Sequence, residues 1–429
     1  MPHIDELPDT PVGRQAAWFL RHTFTHGAEL TVEEIAEHMR TRYGTPENSL
    51  ERFRTDPTPL AIRKMEAESE VKISVWLADD SDARPVVVTF WVEEQSPHKI
   101  VDLWWVRDVG DSVVIREARE AEGPELRQLE VRSPLRIGDA TIVYDRGDDF
   151  FAFARLMEET TNLVAEEHGE ILALECAAMH TIEIAGQRYQ AMLIHHLRIP
   201  QENQKRGLYS PLNGRCFQTY RERMEVPYAY VAIDNASAGR LHGPEIWNAK
   251  PMRGVLRCAD LAGPSIGRAA TKDDAPRVVE ILNACHDGEA TYLPYTADSL
   301  TERLERAPDV YTWGNVWMTD NAAVGVWPSE LRIARTEGSV TTENVRAAVL
   351  DNGFLPGAED EFESLLRAWC GWLADRGTTE LAIYTSEGSR NNGIVTRLAA
   401  QIDMYDLRMD APEPPDMPER GLYVDAVYF

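Results

Sequence analysis

The chain has 429 residues, and 44 Lys and Arg against 71 Asp and Glu give a formal net charge of −27. A field of that sign repels nucleic acid and anionic membrane and concentrates cationic partners such as amines. The length accommodates roughly two to four domains, each with its own core. Five cysteines, Cys176, Cys216, Cys258, Cys285 and Cys370, show no CxxC pair and no Cys/His ligand spacing. They predict free buried thiols in a reducing cytoplasm and no metal site. No signal-peptide h-region, transmembrane run or lipidation signal is evident, so the expected location is cytoplasmic.

In chain order, helix patterns at 11–26 and 31–43 precede strand patterns at 60–77, 85–93 and 99–106. Helices followed by a run of antiparallel strands predict a small α+β domain over 1–109. The acidic stretch 79–82 reads as a turn between strands. Pro97-His98-Lys99-Ile100-Val101 before the last strand resembles the cone-shaped, ketosteroid-isomerase-like domain attached to some bacterial serine hydrolases. That resemblance implies an accessory or dimerisation module, and a homodimer is possible. No interior acid pair suggests isomerase chemistry.

A strand at 112–120 and a helix at 123–130 open the middle of the chain. Arg146-Gly-Asp148-Asp149-Phe150-Phe151 follows, its two acids placed either to cap the next helix or to pair an acceptor ammonium. Strands at 162–165 and 170–184 flank a turn at 167–169. The apolar run AMLIHHLRI at 191–199 reads as a buried strand. It leads into Gln204-Lys205-Arg206-Gly207 and a helix at 212–223. Strand, basic glycine turn and helix in that order present backbone N–H groups and a helix dipole to a phosphate. A strand at 226–233 then precedes Asn235-Ala-Ser-Ala238-Gly-Arg-Leu241-His242.

These two segments resemble the coenzyme-A motifs of the GNAT superfamily of acyltransferases. The first is Gln/Arg-x-x-Gly-x-Gly/Ala after a central strand, matched by Gln204 and Gly207 with Tyr209 in the second small position. The second is Asn-x-x-Ala-x-x-Leu-Tyr, matched by Asn235, Ala238 and Leu241 with His242 in place of the Tyr. The resemblance implies a GNAT-like domain over 110–262 that uses acetyl-CoA or another acyl-CoA. Gln204, Lys205, Arg206, Gly207, Leu208, Tyr209 and Ser210 would hold the pyrophosphate, and Asn235 would touch the coenzyme. Leu197, Arg198 and Ile199 would pair with the pantetheine as an added strand does, one N–H polarising the thioester carbonyl. His195, near the strand position where many members carry Glu, is the expected base. A regular strand points His196 to the opposite face, and a bulge would swap the two. Glu175 is the alternative base, and His242 the candidate acid for the departing thiolate.

Beyond 263 the pattern restarts. A strand and amphipathic helix at 265–285 echo 113–131, with hairpin strands at 338–349, a helix at 361–376, a strand at 380–384 and a helix at 391–401. Proline-rich 411–420 precedes a final antiparallel strand at 422–429. This resembles a second, degenerate GNAT-like domain over 263–429. Where a phosphate loop would stand, Glu359, Asp360 and Glu361 repel a pyrophosphate, so the expected role is structural, or that of closing one wall of the first domain's acceptor site.

The expected fold class is therefore α+β: two GNAT-like mixed, mostly antiparallel sheets flanked by helices, preceded by a small helix-plus-antiparallel-sheet domain. The expected function is transfer of an acetyl or similar acyl group from acyl-CoA to a small amine by direct attack, in a bacterial-type tandem protein. The alternative is an acyl-CoA-binding sensor or scaffold without turnover. Steady consumption of acyl-CoA with an amine separates the two.

Overall fold

Val12, Ala16, Phe19 and Leu20 recur at the spacing of one helix face. In the computed structural model, which describes residues 4–24, 30–40, 61–78, 85–235, 250–409 and 420–428, they line the inner side of α1 (Pro11–Phe24). They share a core with Ile73, Val75, Val88 and Phe90. Thr31 and Glu34 close a capping box on α2 (Val32–His38). The antiparallel sheet runs β1 (Ala61–Ala67), β2 (Lys72–Ala78), β3 (Val86–Val92), β4 (Ile100–Arg107) in that spatial order. The single strand expected at 60–77 is thus a hairpin. Residues 68–71 form its turn, with the Glu68 N–H donating to the Lys72 carbonyl at 3.0 Å.

The middle of the chain gives β5 (Val113–Glu117), α3 (Gly123–Val131), β6 (Leu135–Ile137), β7 (Ala140–Asp145) and α4 (Ala152–Leu156). Then come β8 (Glu159–Glu167), β9 (Glu170–Ile184), β10 (Gln187–Arg198), α5 (Tyr209–Tyr220) and β11 (Val226–Ala232). The β8–β9 turn holds His168 and Gly169 at φ 53° and 88°. Two successive positive φ values match the right-handed twist of a tight hairpin. The remainder gives β12 (Pro251–Arg257), α6 (Cys258–Leu261), β13 (Arg268–Ala269), α7 (Ala275–His286), α8 (Ala297–Glu305), β14 (Val316–Met318) and β15 (Ala322–Glu337). It ends with β16 (Val340–Phe354), α9 (Glu359–Ala374), β17 (Glu380–Ser386), α10 (Asn392–Leu398) and β18 (Gln401–Met409).

Both halves use the same device: two long antiparallel strands, a helix, then a strand parallel to the one before the helix. β10 pairs in parallel with β11 only at Ala191–Leu193 against Val226–Tyr228. β16 pairs with β17 only at Arg346–Ala348 against Glu380–Ala382. The halves then exchange strands. β12 lies between β17 and β18, while β18 also pairs with β11. β7 joins β15, so one fourteen-stranded sheet runs through both halves. β12 precedes residue 263 in sequence yet sits inside the sheet of the second half.

The segment expected as a final strand is not one. Leu422 makes a single parallel bridge to Ala290, and a 3-10 turn follows at Ala426–Tyr428. Leu422, Tyr423, Val424, Ala426 and Val427 are all buried. Consecutive burial excludes a half-solvated strand, which buries alternate residues. An ion pair holds the segment instead. Arg303 of α8 bonds Asp425 at 3.0 Å through both Nη atoms and Asp351 of β16 at 3.0 Å through Nε. The Tyr311 hydroxyl donates to the same Asp351 at 2.8 Å. Arg303→Met leaves two acids facing each other without a cation. It should cost about 3–5 kcal/mol, read as a fall in the urea unfolding midpoint.

Candidate functional site

β10 and β11 separate after Leu193 and Tyr228, so the edge of β10 that faces β11 has no ladder partner from Ile194 onward among the described residues. Just past the separation, β10 carries a bulge. His195 pairs with Cys176 and Arg198 with Leu174, three steps on β10 against two on β9. The extra residue puts His196 at φ 53°, in the left-handed region. Instead of pointing to opposite faces, the two imidazoles meet, Nδ1 to Nδ1.

The glycine turn stands where the motif places it, between the end of β10 and α5. Lys205 and Gly207 take φ of 69° and 81°. A Cβ on Gly207 would lie 2.4 Å from Arg107 Cδ at the end of β4. The N-terminal sheet therefore touches the turn, and the Arg107 N–H also donates to Ser210 Oγ at 3.1 Å. Lys205 is exposed. Arg206 bonds Glu167 at 2.8 Å. The Gln204 N–H is spent on the Pro200 carbonyl at 3.1 Å, and its side chain reaches the Ile199 carbonyl at 3.4 Å. Leu208 is buried as the residue preceding α5. Tyr209 departs from the small-residue motif, and burial beside Glu175 and Cys216 pushes its phenol up.

On the other sheet face is a buried charge cluster centred on Glu130, which the sequence did not single out. Glu130, on the inner side of α3, faces Arg146 Nε at 3.1 Å and Arg198 Nη2 at 3.3 Å. Arg146 also donates from Nη2 to His196 Nε2. Two guanidinium groups thus share one carboxylate. Burial, with both arginines nearby, holds the His195 imidazole down to about 3 and His196 well below its ordinary value. Phe153 of α4 meets His195 and His196 edge-on at 6.1 and 5.3 Å and stacks on Trp327 of β15 at 6.0 Å. Glu130 and Trp327 carry no local motif; only the buried face of α3 and the strand exchange bring them here.

Glu175 does not join this cluster. It neighbours Cys176, the partner of His195, and so projects from the opposite face, where Asn213 Nδ2 donates to it at 3.3 Å. Asn235 ends the described part of the second motif, its N–H bonded to the Ala232 carbonyl at 2.9 Å. Ala238, Leu241 and His242 lie outside the described residues, as do the acidic stretch 79–82 and residues 411–419. Asp148 and Asp149 pair with Arg127 and Arg155. All five cysteines are buried free thiols.

A cleft of about 410 Å³ in the second half is lined by Tyr144, Arg253, Arg257, Arg346, Glu380 and Asp403 among others. Its innermost charges neutralise one another, Arg253 with Asp403 at 2.8 Å and Arg346 with Glu380 at 2.6 Å. None of the described residues singled out as a site lines it. Among the described residues, no helix is long and apolar enough to cross a membrane.

Burial raises Glu175 to about 8 against an ordinary 4.5, with Asn213 opposing. The folded state therefore holds a proton that the unfolded chain releases between these values. Stability falls as pH rises through that window. Glu175→Gln removes the coupling. Between pH 5 and 8 the unfolding midpoint of the variant should drop less than that of the wild type, and parallel pH profiles would refute a protonated Glu175.

No protein-family profile and no curated protein matches the sequence. Solved structures match in shape. N-myristoyltransferase of Saccharomyces cerevisiae with bound myristoyl-CoA gives a TM-score of 0.53 at 8% identity, over 73% of this chain and 90% of that one. A second structure of the yeast enzyme with myristoyl-CoA gives 0.53 at 9% identity, over 78% and 88%. A GCN5-related N-acetyltransferase from Sphaerobacter thermophilus gives 0.45 at 16% identity, over 73% and 99%. At such identities the likeness is one of fold. The α+β class expected from the sequence, mixed and mostly antiparallel sheet flanked by helices, is that of this chain, with the two expected sheets joined into one, and this fold is similar to that of N-myristoyltransferase.

Proposed function

We propose that this protein is an acyltransferase that takes an acetyl or similar group from acyl-CoA and passes it to an amine by direct attack. One observation carries the reading. The turn Gln204–Gly207 opens α5 beside the unpaired edge of β10, so a phosphate anchor and a strand edge lie in series, as an extended thioester requires. The N–H groups of Gly207 and Leu208 and the exposed Lys205 ammonium suit a pyrophosphate. The backbone of Leu197 and Ile199 suits the pantetheine. The fold shared with an enzyme crystallised with myristoyl-CoA supports the same ligand class.

In this reading residues 110–262 bind the acyl-CoA and residues 263–429 are a degenerate relative of that unit. The acids Glu359, Asp360 and Glu361 in the first turn of α9 support the second assignment. Residues 1–109 are an accessory unit whose Arg107 packs on Gly207. The acceptor is an amine, drawn to a chain of net charge −27. An acyl-CoA sensor without turnover is the second reading, favoured by the low basicity of His195.

Calorimetric titration with acetyl-CoA tests the site. Wild type should bind, and Gly207→Asp, which adds both an anion and a clash with Arg107, should weaken binding at least about tenfold, or about 1.4 kcal/mol. Gly207→Ala separates bulk from charge. A wild type that gives no binding heat with acetyl- or longer acyl-CoA would remove the reading. Release of free CoA thiol with an amine present favours the enzyme, and binding without release favours the sensor.

A further inference from the structure

An arginine side chain has donors and no acceptor, so whatever bonds to it must offer a lone pair. The partner of Arg146 Nη2 is His196 Nε2. In the neutral ring this leaves the His196 proton on Nδ1, which meets His195 Nδ1. His195 Nδ1 therefore accepts, and the proton of its own neutral ring sits on Nε2. That atom is buried and has no partner among the described residues.

Burial, and then the surrounding charges, keep both rings neutral. Arg146 and Arg198 face them with one carboxylate, Glu130, between the two. Cys176, across the ladder from His195, is pushed up to about 12 by burial and carries no charge near neutrality. Glu175 projects from the other sheet face. Phe153 closes the near side and is itself covered by Trp327. A third positive charge in this cluster would be opposed by both arginines.

We infer that His195 is a fixed-tautomer N–H donor to the thioester carbonyl oxygen, not the base of the reaction, an assignment that rests on the acyl-CoA reading. His195 stands two residues beyond Leu193, the last residue of β10 paired to β11, at the opening where a thioester would lie. The amine nitrogen forms the new C–N bond while the carbonyl electron pair moves onto oxygen, where Nε2–H stabilises it. Collapse breaks the C–S bond, the pair leaves on the CoA sulfur, and the surplus ammonium proton passes to water. His195 neither gains nor loses a proton.

The tautomer is read directly in the full-length protein, with ¹⁵N-labelled histidine and long-range proton–nitrogen spectra between pH 5 and 9. His195→Gln and His196→Gln assign the signals. The expected result is a neutral Nε2–H form for His195 and a neutral Nδ1–H form for His196, neither titrating. A His195 that titrates in this range, or that carries its proton on Nδ1, overturns the assignment. In turnover, His195→Leu should lower kcat about 10²- to 10³-fold, the loss typical of one oxyanion donor. His195→Gln, which keeps an N–H, should recover most of it with KM for acyl-CoA little changed. Equal losses in the two variants would mark a base and overturn the proposal. Failure of the wild type to bind acetyl-CoA would remove the carbonyl oxygen as the partner of His195 together with the acyltransfer reading. Binding alongside a titrating His195 would overturn the donor assignment alone.

Discussion

The separation of two parallel strands governs the site. β10 and β11 share three residue pairs and then part. A parallel seam that continued would pair the backbone of Ile194 to Arg198 and leave no edge for a ligand. Divergence leaves the β11-facing groups of this stretch without a ladder partner among the described residues, and the Leu197 carbonyl instead accepts from Arg198 Nη1 at 3.0 Å. The bulge at His196 belongs to the same departure from regular pairing. Its extra residue turns the chain so that two adjacent histidines share a side, which an unbroken strand forbids.

That bulge would be a liability without the charges beneath it. A buried pair of neutral imidazoles can rearrange, because either nitrogen of each ring can hold the proton. Arg146 removes the freedom by accepting nothing, and Glu130 removes the freedom of Arg146. Order therefore passes from a carboxylate on α3 through an arginine in the loop after β7 to the strand edge. Burial first, and then the excess of two cations over one anion, lowers the basicity of the rings. A group arranged in this way is suited to hold a proton in place rather than to move one.

Much of this was legible in the residues, for local reasons. The hairpin at His168-Gly169, the run 191–199, the turn at Gly207 and the helix that follows are each specified within about a dozen residues. Periodicity and turn chemistry suffice there. The long-range pairings were not legible. Nothing in 251–257 says that the strand leaves its own half to lie between β17 and β18, and nothing in 140–145 says that it joins β15. LYVDAVYF alternates as a strand would, yet Asp425 is drawn to Arg303 and the segment is buried on all sides. His195 was legible as a residue of interest, but the Arg146–His196 contact beside it was not, since Arg146 lies about fifty positions upstream.

The second half shows what the first half's turn contributes. β16 and β17 repeat the parallel seam and its divergence, and α9 follows β16 as α5 follows β10. At the start of α9, however, stand Glu359, Asp360 and Glu361, and Glu361 is bonded to Asn321 at 2.8 Å and to Thr319 at 2.5 Å. The positive end of that helix is met by its own side chains, so its electrostatic capacity is used internally. In α5 the first turn carries no acid, and Pro211 has no N–H to satisfy. The same backbone plan thus carries two different helix starts, one acid-capped and one without an acid. The reciprocal exchange of β12 and β18 ties the acid-capped copy to the other. The second half supplies the strand that lies along β11 and the Trp327 that covers Phe153.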